Sequence, residues 1–376
     1  MTQSVADDAR WMALALEIAE GGRYSTRPNP RVGCVLVREG SLVASGFHHH
    51  AGGPHAERAA LAAAGSAARG CTAYVTLEPC CHHGRTPPCT EALIEAGVAR
   101  VVYAARDPNP KVAGGGARAL GGAGIPVVGE VLAAEARALN RGFFARHERG
   151  RPWLALKLGM SLDGRTALAN GTSQWITDEP ARADVQRLRA ESCAVMTGIG
   201  TVLADDPRLD VRDPRFDLGG RPPLRVVLDA GLGLPLDARI LGHDGACVVF
   251  TACTDATRIR ALETAGARVE QVGSDAAGAL DLPAVLARLA ALEVNELLVE
   301  AGPRLAASLL THSLIDQLIV YLAPLVLGAD SRAAFATQGL ASLAEAERWH
   351  FIDCAPVGRD LRLLLEPIRL DAKASN

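Results

Sequence analysis

Three short runs in the first quarter of the chain gather the residue types that hold a transition metal and move protons. His55 and Glu57 lie in Pro54-His55-Ala56-Glu57, and Cys80 and Cys89 follow in Glu78-Pro79-Cys80 and Pro88-Cys89. One imidazole and two thiolates fill three tetrahedral positions on zinc and leave the fourth open to water, as in a catalytic rather than a structural site. Zinc lowers the pKa of that water, so that hydroxide exists near neutral pH. Glu57 is two residues from the imidazole and suited to take the water's proton and hand it to a leaving group. The expected metal ligands are therefore His55, Cys80 and Cys89, with Glu57 as the catalytic acid and base.

A lone His-x-Glu carries no message, and a cysteine at a strand end is commonly a small core hydrophobe. The order of these residues, each beside a proline, is what makes them a site. It is the H-x-E…P-C…C pattern of zinc deaminases, in which the leaving group is an amine. Eight residues separate the two cysteines where two is usual. Within that insertion Cys81, His82 and His83 are rival ligands, and Gly84, Arg85 and Thr86 are placed to meet a phosphate or sugar. His48-His49-His50 reads as a polar strand end or rim, and Cys34 as core. Asn29, in Asn29-Pro30-Arg31-Val32-Gly33, is either a turn residue or a hydrogen-bond partner for a bound base. Beside the zinc pattern the second role is preferred.

The second half offers phosphate chemistry. Gly198-Ile199-Gly200-Thr201 and Glu300-Ala301-Gly302-Pro303-Arg304-Leu305 each join an expected strand to an expected helix. Helix starts with small residues and free amides suit phosphate groups. Arg189, Arg208, Arg212 and Arg304 lie near these turns, whereas Arg182 and Arg187 read as solvated charge. Asp163 reads as a turn residue. Gly114-Gly115-Gly116-Ala117-Arg118-Ala119 imitates a dinucleotide fingerprint by letter, but no strand precedes it, which the fingerprint requires.

Stepping outward, apolar runs alternate with alanine-rich stretches. Strands are expected over 32–37, 42–47, 72–77 and 101–105, and helices over 55–64, 90–96 and 131–140. Cys89 then precedes a helix start, where free amides favour the thiolate. A basic stretch at 146–152 marks a domain boundary, dividing a first domain over 1–147 from a second over 151–376. After it, strands are expected over 153–160, 194–197, 224–229, 247–251, 268–272, 296–300, 317–322 and 361–366. Helices are expected over 179–191, 256–265, 282–292 and 304–311, and 206–221 reads as a loop. Repeated alternation predicts α/β layers with helices covering a sheet.

Composition narrows the function classes. The chain has 376 residues, of which 49% are hydrophobic and 22% charged, which excludes intrinsic disorder. A net charge of −3 gives no global field that would draw nucleic acid. No apolar stretch approaches the roughly 18 residues of a spanning helix, and the first residues are acidic and polar, unlike a secretory signal. Nine scattered cysteines fit a reducing cytoplasm better than a disulfide framework.

Nearly end to end, the chain resembles the bifunctional riboflavin-biosynthesis deaminase/reductases. The first half carries the resemblance through residues 29–35, 54–57 and 76–89, whose Gly84-Arg85-Thr86-Pro87-Pro88-Cys89 ending is specific to that family, and through Asp107-Pro108-Asn109-Pro110-Lys111. The second half carries it through residues 156–165, 173–177, 201–209 and 300–303. Position 81 departs from the pattern, being Cys where a small polar residue is expected. The resemblance implies a cytidine-deaminase-like three-layer domain followed by a dihydrofolate-reductase-like domain. It also implies zinc-dependent deamination of 2,5-diamino-6-(5-phosphoribosylamino)pyrimidin-4-one. NADPH-dependent reduction of the ribosyl group of 5-amino-6-(5-phosphoribosylamino)uracil to ribityl follows. By the same resemblance Gly159, Trp175, Thr201, Asp205 and the turn Gly302, Pro303, Arg304 and Leu305 would contact NADPH. Ser173, Arg189, Leu209, Arg212 and Glu300 would hold substrate, with Arg189 and Arg212 clamping its phosphate, and the family's pattern suggests a homodimer. The rival readings are a nucleic-acid base deaminase with an appended nucleotide-binding domain, and a zinc-stabilised scaffold with a closed four-ligand site.

Overall fold

A computed structural model describes residues 5–82, 87–242, 245–275 and 278–368. The chain divides into two compact units, Met1–Arg151 with Asp217–Arg221, and Pro152–Phe216 with Pro222–Asn376.

In the first unit the order is α1 (Val5–Ala19), β1 (Gly33–Arg38), β2 (Ser41–Phe47), α2 (Ala56–Ala64), β3 (Thr72–Leu77), α3 (Cys89–Ala96), β4 (Arg100–Ala105), α4 (Gly115–Gly122), β5 (Val127–Val128), α5 (Ala133–Leu139) and α6 (Arg141–Arg149). The strands form one sheet in the order β2-β1-β3-β4-β5. β1 runs antiparallel to both β2 and β3, whereas β3, β4 and β5 are parallel. Successive residues of a strand point to opposite faces, and here both faces are apolar. Val35 and Val37 pack with Trp11, Met12, Phe143 and Phe144 on one side. Cys34 and Leu36 pack with Ala56, Ala60, Leu93 and Leu120 on the other. The result is a helix–sheet–helix sandwich, and it makes Cys34 a core residue.

The second unit runs β6 (Trp153–Ser161), β7 (Arg165–Ala167), α7 (Glu179–Glu191), β8 (Ala194–Gly198), α8 (Ile199–Asp205), β9 (Leu224–Leu228), β10 (Cys247–Thr251), α9 (Ala256–Thr264), β11 (Ala267–Gln271), α10 (Leu282–Ala291), β12 (Glu296–Glu300), α11 (Pro303–Thr311), β13 (Gln317–Ala323), β14 (Arg332–Ala333), β15 (Trp349–Val357) and β16 (Asp360–Pro367). Nine of these strands form a sheet in the order β11-β10-β9-β8-β12-β6-β13-β16-β15, and β7 pairs with β14. The strands from β11 to β13 are mutually parallel, and the hairpin β15–β16 closes the edge in antiparallel fashion. Alternation again feeds two cores. Met196, Val226 and Phe250 meet α10 and α11 on one face. Val195, Val227 and Val249 meet α7 and α9 on the other.

Within this sheet β8 and β12 are neighbours whose onward connections diverge. From β8 the chain moves outward to β9, whereas from β12 it crosses to β13 beyond β6. Ligands of open parallel sheets bind outside the carboxyl ends of strands at such a switch point.

The first unit's main segment ends at Arg151, within the basic stretch 146–152. Residues 146–149 form the last turn of α6, held by burial of Phe143 and Phe144. The glycine-rich stretch that imitated a fingerprint starts α4, preceded by a turn. Among the described residues no helix is long and apolar enough to cross a membrane.

Candidate active sites

In the first unit three elements converge. His55 is the residue before α2, Cys80 lies three residues beyond β3, and Cys89 is the first residue of α3. His55 Nδ1 lies 3.6 Å from Cys80 Sγ and 3.3 Å from Cys89 Sγ. All three ligand atoms fall within 4.8 Å of one another. Tetrahedral zinc, with Zn–N about 2.0 Å and Zn–S about 2.3 Å, places such atoms about 3.5 Å apart. The donor set and its spacing therefore fit zinc. Among the described residues this is the one metal-competent cluster of its kind, and it includes neither Cys81 nor His82. Cys81 Sγ faces Val112 O instead, at 4.0 Å. His83, Gly84, Arg85 and Thr86 lie outside the described residues.

The electrostatics of the cluster divide its two thiols. Hydrogen bonds from the Cys89 thiol, with further ones from His55 and the Cys89 amide, pull the Cys80 thiol well below its ordinary range. The reciprocal bond to Cys80, together with burial, pushes Cys89 up. Glu57, in the first turn of α2, is 3% exposed, and burial, reinforced by Cys80, raises its carboxyl above the usual range. A buried carboxyl raised in this way both accepts and returns a proton near neutral pH more readily than a surface one.

Asn29 lies beside this centre. Its Nδ2 is 3.0 Å from His48 Nε2, and His48 Nδ1 is 2.9 Å from Pro54 O. The rings of His48 and His55 meet edge to face at 5.3 Å. His48 is thus buried beside the metal cluster rather than on a rim, which the sequence reading of 48–50 did not anticipate. Asp107 was also missed. It is buried, and burial, with the charges of Glu78 and Cys80 adding, pushes it up to about 7. A lone Asp before a proline carries no signal of burial.

In the second unit the turns after β8 and β12 come together at the switch point. A Cβ added at Gly302 would sit 3.8 Å from Thr201 Oγ1, and one at Gly198 would sit 3.8 Å from Leu305 Cδ2. Gly302 is the residue before α11, with Pro303 at its first position and Arg304 exposed. Asp205 ends α8, and burial raises its carboxyl. Gly159 on β6 approaches Thr177, whose Cγ2 would lie 3.1 Å from an added Cβ. Ser173 accepts the Ile176 amide in the turn holding Trp175, which is 65% exposed and lies under the Arg182 guanidinium at 4.5 Å. Arg182 is therefore not merely solvated. Nor is Arg187, which pairs with Asp184 and Glu191.

The polar wall of this site is denser than the sequence suggested. Arg189 is buried on α7 and grips Glu300 twice, Nε to Oε1 at 2.6 Å and Nη2 to Oε2 at 3.1 Å, while Nη1 donates to Asp210 O. It is thus committed to a protein carboxylate. Arg212 is about half exposed and 3.6 Å from Asp210, and Leu209, which precedes Asp210, is buried in a left-handed backbone conformation. Lys157, inside the strand expected over 153–160, pairs in register with Glu300. Burial lowers its ammonium pKa, with Glu300 opposing and Arg189 adding. Burial alone would raise the Glu300 carboxyl, but Arg189 and then Lys157 outweigh it. Asp163 accepts from Ser161 Oγ, Leu327 N and Gly328 N, so it ties a loop rather than merely turning one.

Residues 5–105 match the cytidine and deoxycytidylate deaminase zinc-binding region, and residues 152–363 match the RibD C-terminal domain. The chain is thus a zinc deaminase joined to a reductase. It is 47% identical to riboflavin biosynthesis protein RibD of Escherichia coli K12, over 95% of this chain and 99% of that one. It is 43% identical to RibD of Haemophilus influenzae, over 98% and 99%. Among solved structures it superposes on Acinetobacter baumannii RibD with a TM-score of 0.91 at 42% identity, covering 97% of this chain and all of that one. The Thermotoga maritima diaminohydroxyphosphoribosylaminopyrimidine deaminase/5-amino-6-(5-phosphoribosylamino)uracil reductase gives 0.83 at 32%, covering 97% and 99%. The chain belongs to the RibD family, the bifunctional deaminase/reductases of riboflavin biosynthesis. Zinc serves the first activity of that family and NADPH the second. These relatives do not favour the reading as a nucleic-acid base deaminase.

Proposed function

We propose that the first unit deaminates 2,5-diamino-6-(5-phosphoribosylamino)pyrimidin-4-one and that the second reduces the ribosyl group of 5-amino-6-(5-phosphoribosylamino)uracil to ribityl. The carrying observation is the His55–Cys80–Cys89 cluster, with buried Glu57 two residues from its imidazole ligand. The name of the Thermotoga maritima relative supports the substrates. Zinc held by His55, Cys80 and Cys89 supplies a Lewis acid that makes water acidic near neutral pH. Glu57 takes the proton from water on its carboxylate and returns it to the departing amine nitrogen. Asn29, fixed by His48, orients the pyrimidine ring.

In the second unit NADPH supplies the hydride, and the chain's part is orientation and exclusion of water. Gly159, Trp175, Thr201, Asp205 and residues 302–305 line the cofactor side, a reading supported by the meeting of the turns after β8 and β12, through Thr201 with Gly302 and Gly198 with Leu305. Ser173, Leu209, Arg212 and the Arg189–Glu300 pair face the substrate. Because Arg189 is bound to Glu300 and Asp210, the phosphate falls mainly to Arg212, whose side chain is about half exposed.

Two further readings complete the proposal. The enzyme works in the cytoplasm, where reducing conditions keep Cys80 and Cys89 as metal-binding thiols. It forms a homodimer through the second unit, supported by the long edge strand β15 with Phe351 and Ile352 exposed. The test of function is a coupled assay on the zinc-loaded chain, following ammonia and cofactor absorbance with the diaminopyrimidine phosphoriboside, with and without NADPH. Ammonia in both tubes, with NADPH consumed only after deamination, is expected. Ammonia release without NADPH oxidation would remove the reductase assignment, and no ammonia with zinc retained would remove the deaminase assignment.

A further inference from the structure

Glu78 stands two residues before the Cys80 ligand, is 2% exposed, and is bonded to backbone amides. Its Oε2 accepts from Gly114 N at 2.9 Å and Asp107 N at 3.4 Å, and its Oε1 accepts from Ala117 N at 3.1 Å. Gly114 is the residue before α4 and Ala117 lies in its first turn, so the carboxylate also lies at the positive end of that helix, while Asp107 follows β4. The glycines of that turn are there for close approach. A Cβ at Gly116 would sit 2.1 Å from Pro79 O, and one at Gly115 would sit 2.6 Å from Cys81 Sγ. The start of α4 therefore presses directly on the residues flanking Cys80.

From the other side Cys80 is held by the start of α3. Its carbonyl accepts from Thr90 N at 3.2 Å and Thr90 Oγ1 at 3.3 Å, and its sulfur accepts from Cys89 N at 3.3 Å. The ligand segment is clamped between two helix starts, and Glu78 fastens the α4 jaw through Gly114 N and Ala117 N, beside the longer contact of Cys81 Sγ with Val112 O.

We propose that Glu78 is a positioning residue for the Cys80 ligand, locking the 78–81 segment onto the glycine-lined start of α4 so that the zinc site is held closed. The inference rests on the reading of His55, Cys80 and Cys89 as zinc ligands. Partners outside the ligand shell commonly change metal affinity tenfold or more when removed. In Glu78→Gln one carboxylate oxygen becomes an amide N–H group facing a backbone N–H, so at least one of the three bonds is lost.

The test is the rate of zinc release from the full chain to a chromogenic chelator, for wild type, Glu78→Gln and Cys80→Ser. Cys80→Ser is expected to purify without zinc; if it keeps stoichiometric zinc, the ligand assignment itself fails. Glu78→Gln is expected to purify with one zinc, to release it about tenfold faster than wild type, and to retain full reductase activity. A purely stabilising role makes release follow unfolding, so sucrose, which favours the folded state, would return the rate to wild type. Release at the wild-type rate, or fast release abolished by sucrose, would overturn the proposal. Should Glu78→Gln fail to fold, Glu78→Asp keeps the charge but is one methylene too short to keep all three amide bonds. It is read in the same way, with release faster than wild type and insensitive to sucrose.

Discussion

In the proposed deamination Glu57 carries the proton without holding the metal, because it is not one of the clustered atoms of His55, Cys80 and Cys89. Glu57→Gln is expected to lower deaminase turnover by about a thousandfold, the scale of lost general acid–base catalysis. Zinc content and reductase activity should stay at wild-type levels. Ammonia release and metal analysis on one preparation check this, and loss of zinc would make Glu57 a ligand instead. In the second unit, Arg189→Met leaves the Glu300 carboxylate without its main partner. Breaking such a buried pair costs about 3 kcal/mol, read as a lower denaturant midpoint for the second unit with deamination unaffected. At this scale the sequence was most legible where chemistry needs a fixed order of rare residue types, as in His55, Cys80 and Cys89. It was mute for Glu78, Asp107, His48 and Lys157. Their roles depend on burial and on partners from distant segments, and a single polar letter carries neither.

Elements were legible where apolar periodicity was strong, as at β3, α7, β10 and β12, whose bounds match the sequence reading. α1, α4 and α6 were not read as helices. α4 is half glycine, a poor helix former, and owes its place to Glu78 and to packing of Leu120. α1 is tied down by a buried ionic contact. Arg100 on β4 grips Asp8 through two bonds of 2.7 Å, and Tyr74 donates to the same carboxylate at 3.0 Å. Burial alone would raise the Asp8 carboxyl, but the Arg100 and Tyr74 bonds outweigh it and hold it below the usual range. The folded chain therefore takes up this proton at lower pH than the unfolded chain. The contribution to stability is complete above the ordinary aspartate value of about 3.9 and is lost as pH falls through the folded value. Urea midpoints measured from neutral pH into that acid window should fall more steeply for wild type than for Asp8→Asn. Parallel curves would show that Asp8 is not the titrating group.

For the whole molecule, two units with separate cores predict separable losses. Removing zinc with a strong chelator should abolish ammonia release and leave NADPH-dependent reduction of the deaminated substrate intact, and re-addition of zinc should restore the first activity. Loss of both would mean that the metal supports more than its own unit. If the proposed homodimer forms through the exposed edge β15, Phe351→Glu should shift sedimentation from dimer to monomer, because a charge there opposes edge-to-edge association. An unchanged sedimentation coefficient would remove β15 from the interface.

The order of strands in the second sheet also governs how the chain emerges from the ribosome. β6 is made first, yet its ladder partners β12 and β13 begin at Glu296 and Gln317. By then β8, β9, β10 and β11 have been synthesised and can pair with one another. β6 must therefore wait, unpaired on both sides, through well over a hundred residues of translation. Such an apolar strand with open edges is a ready partner for the wrong chain. A nascent chain stalled short of Glu296 should accordingly carry a protected four-strand block while its 153–161 segment stays accessible to chaperones.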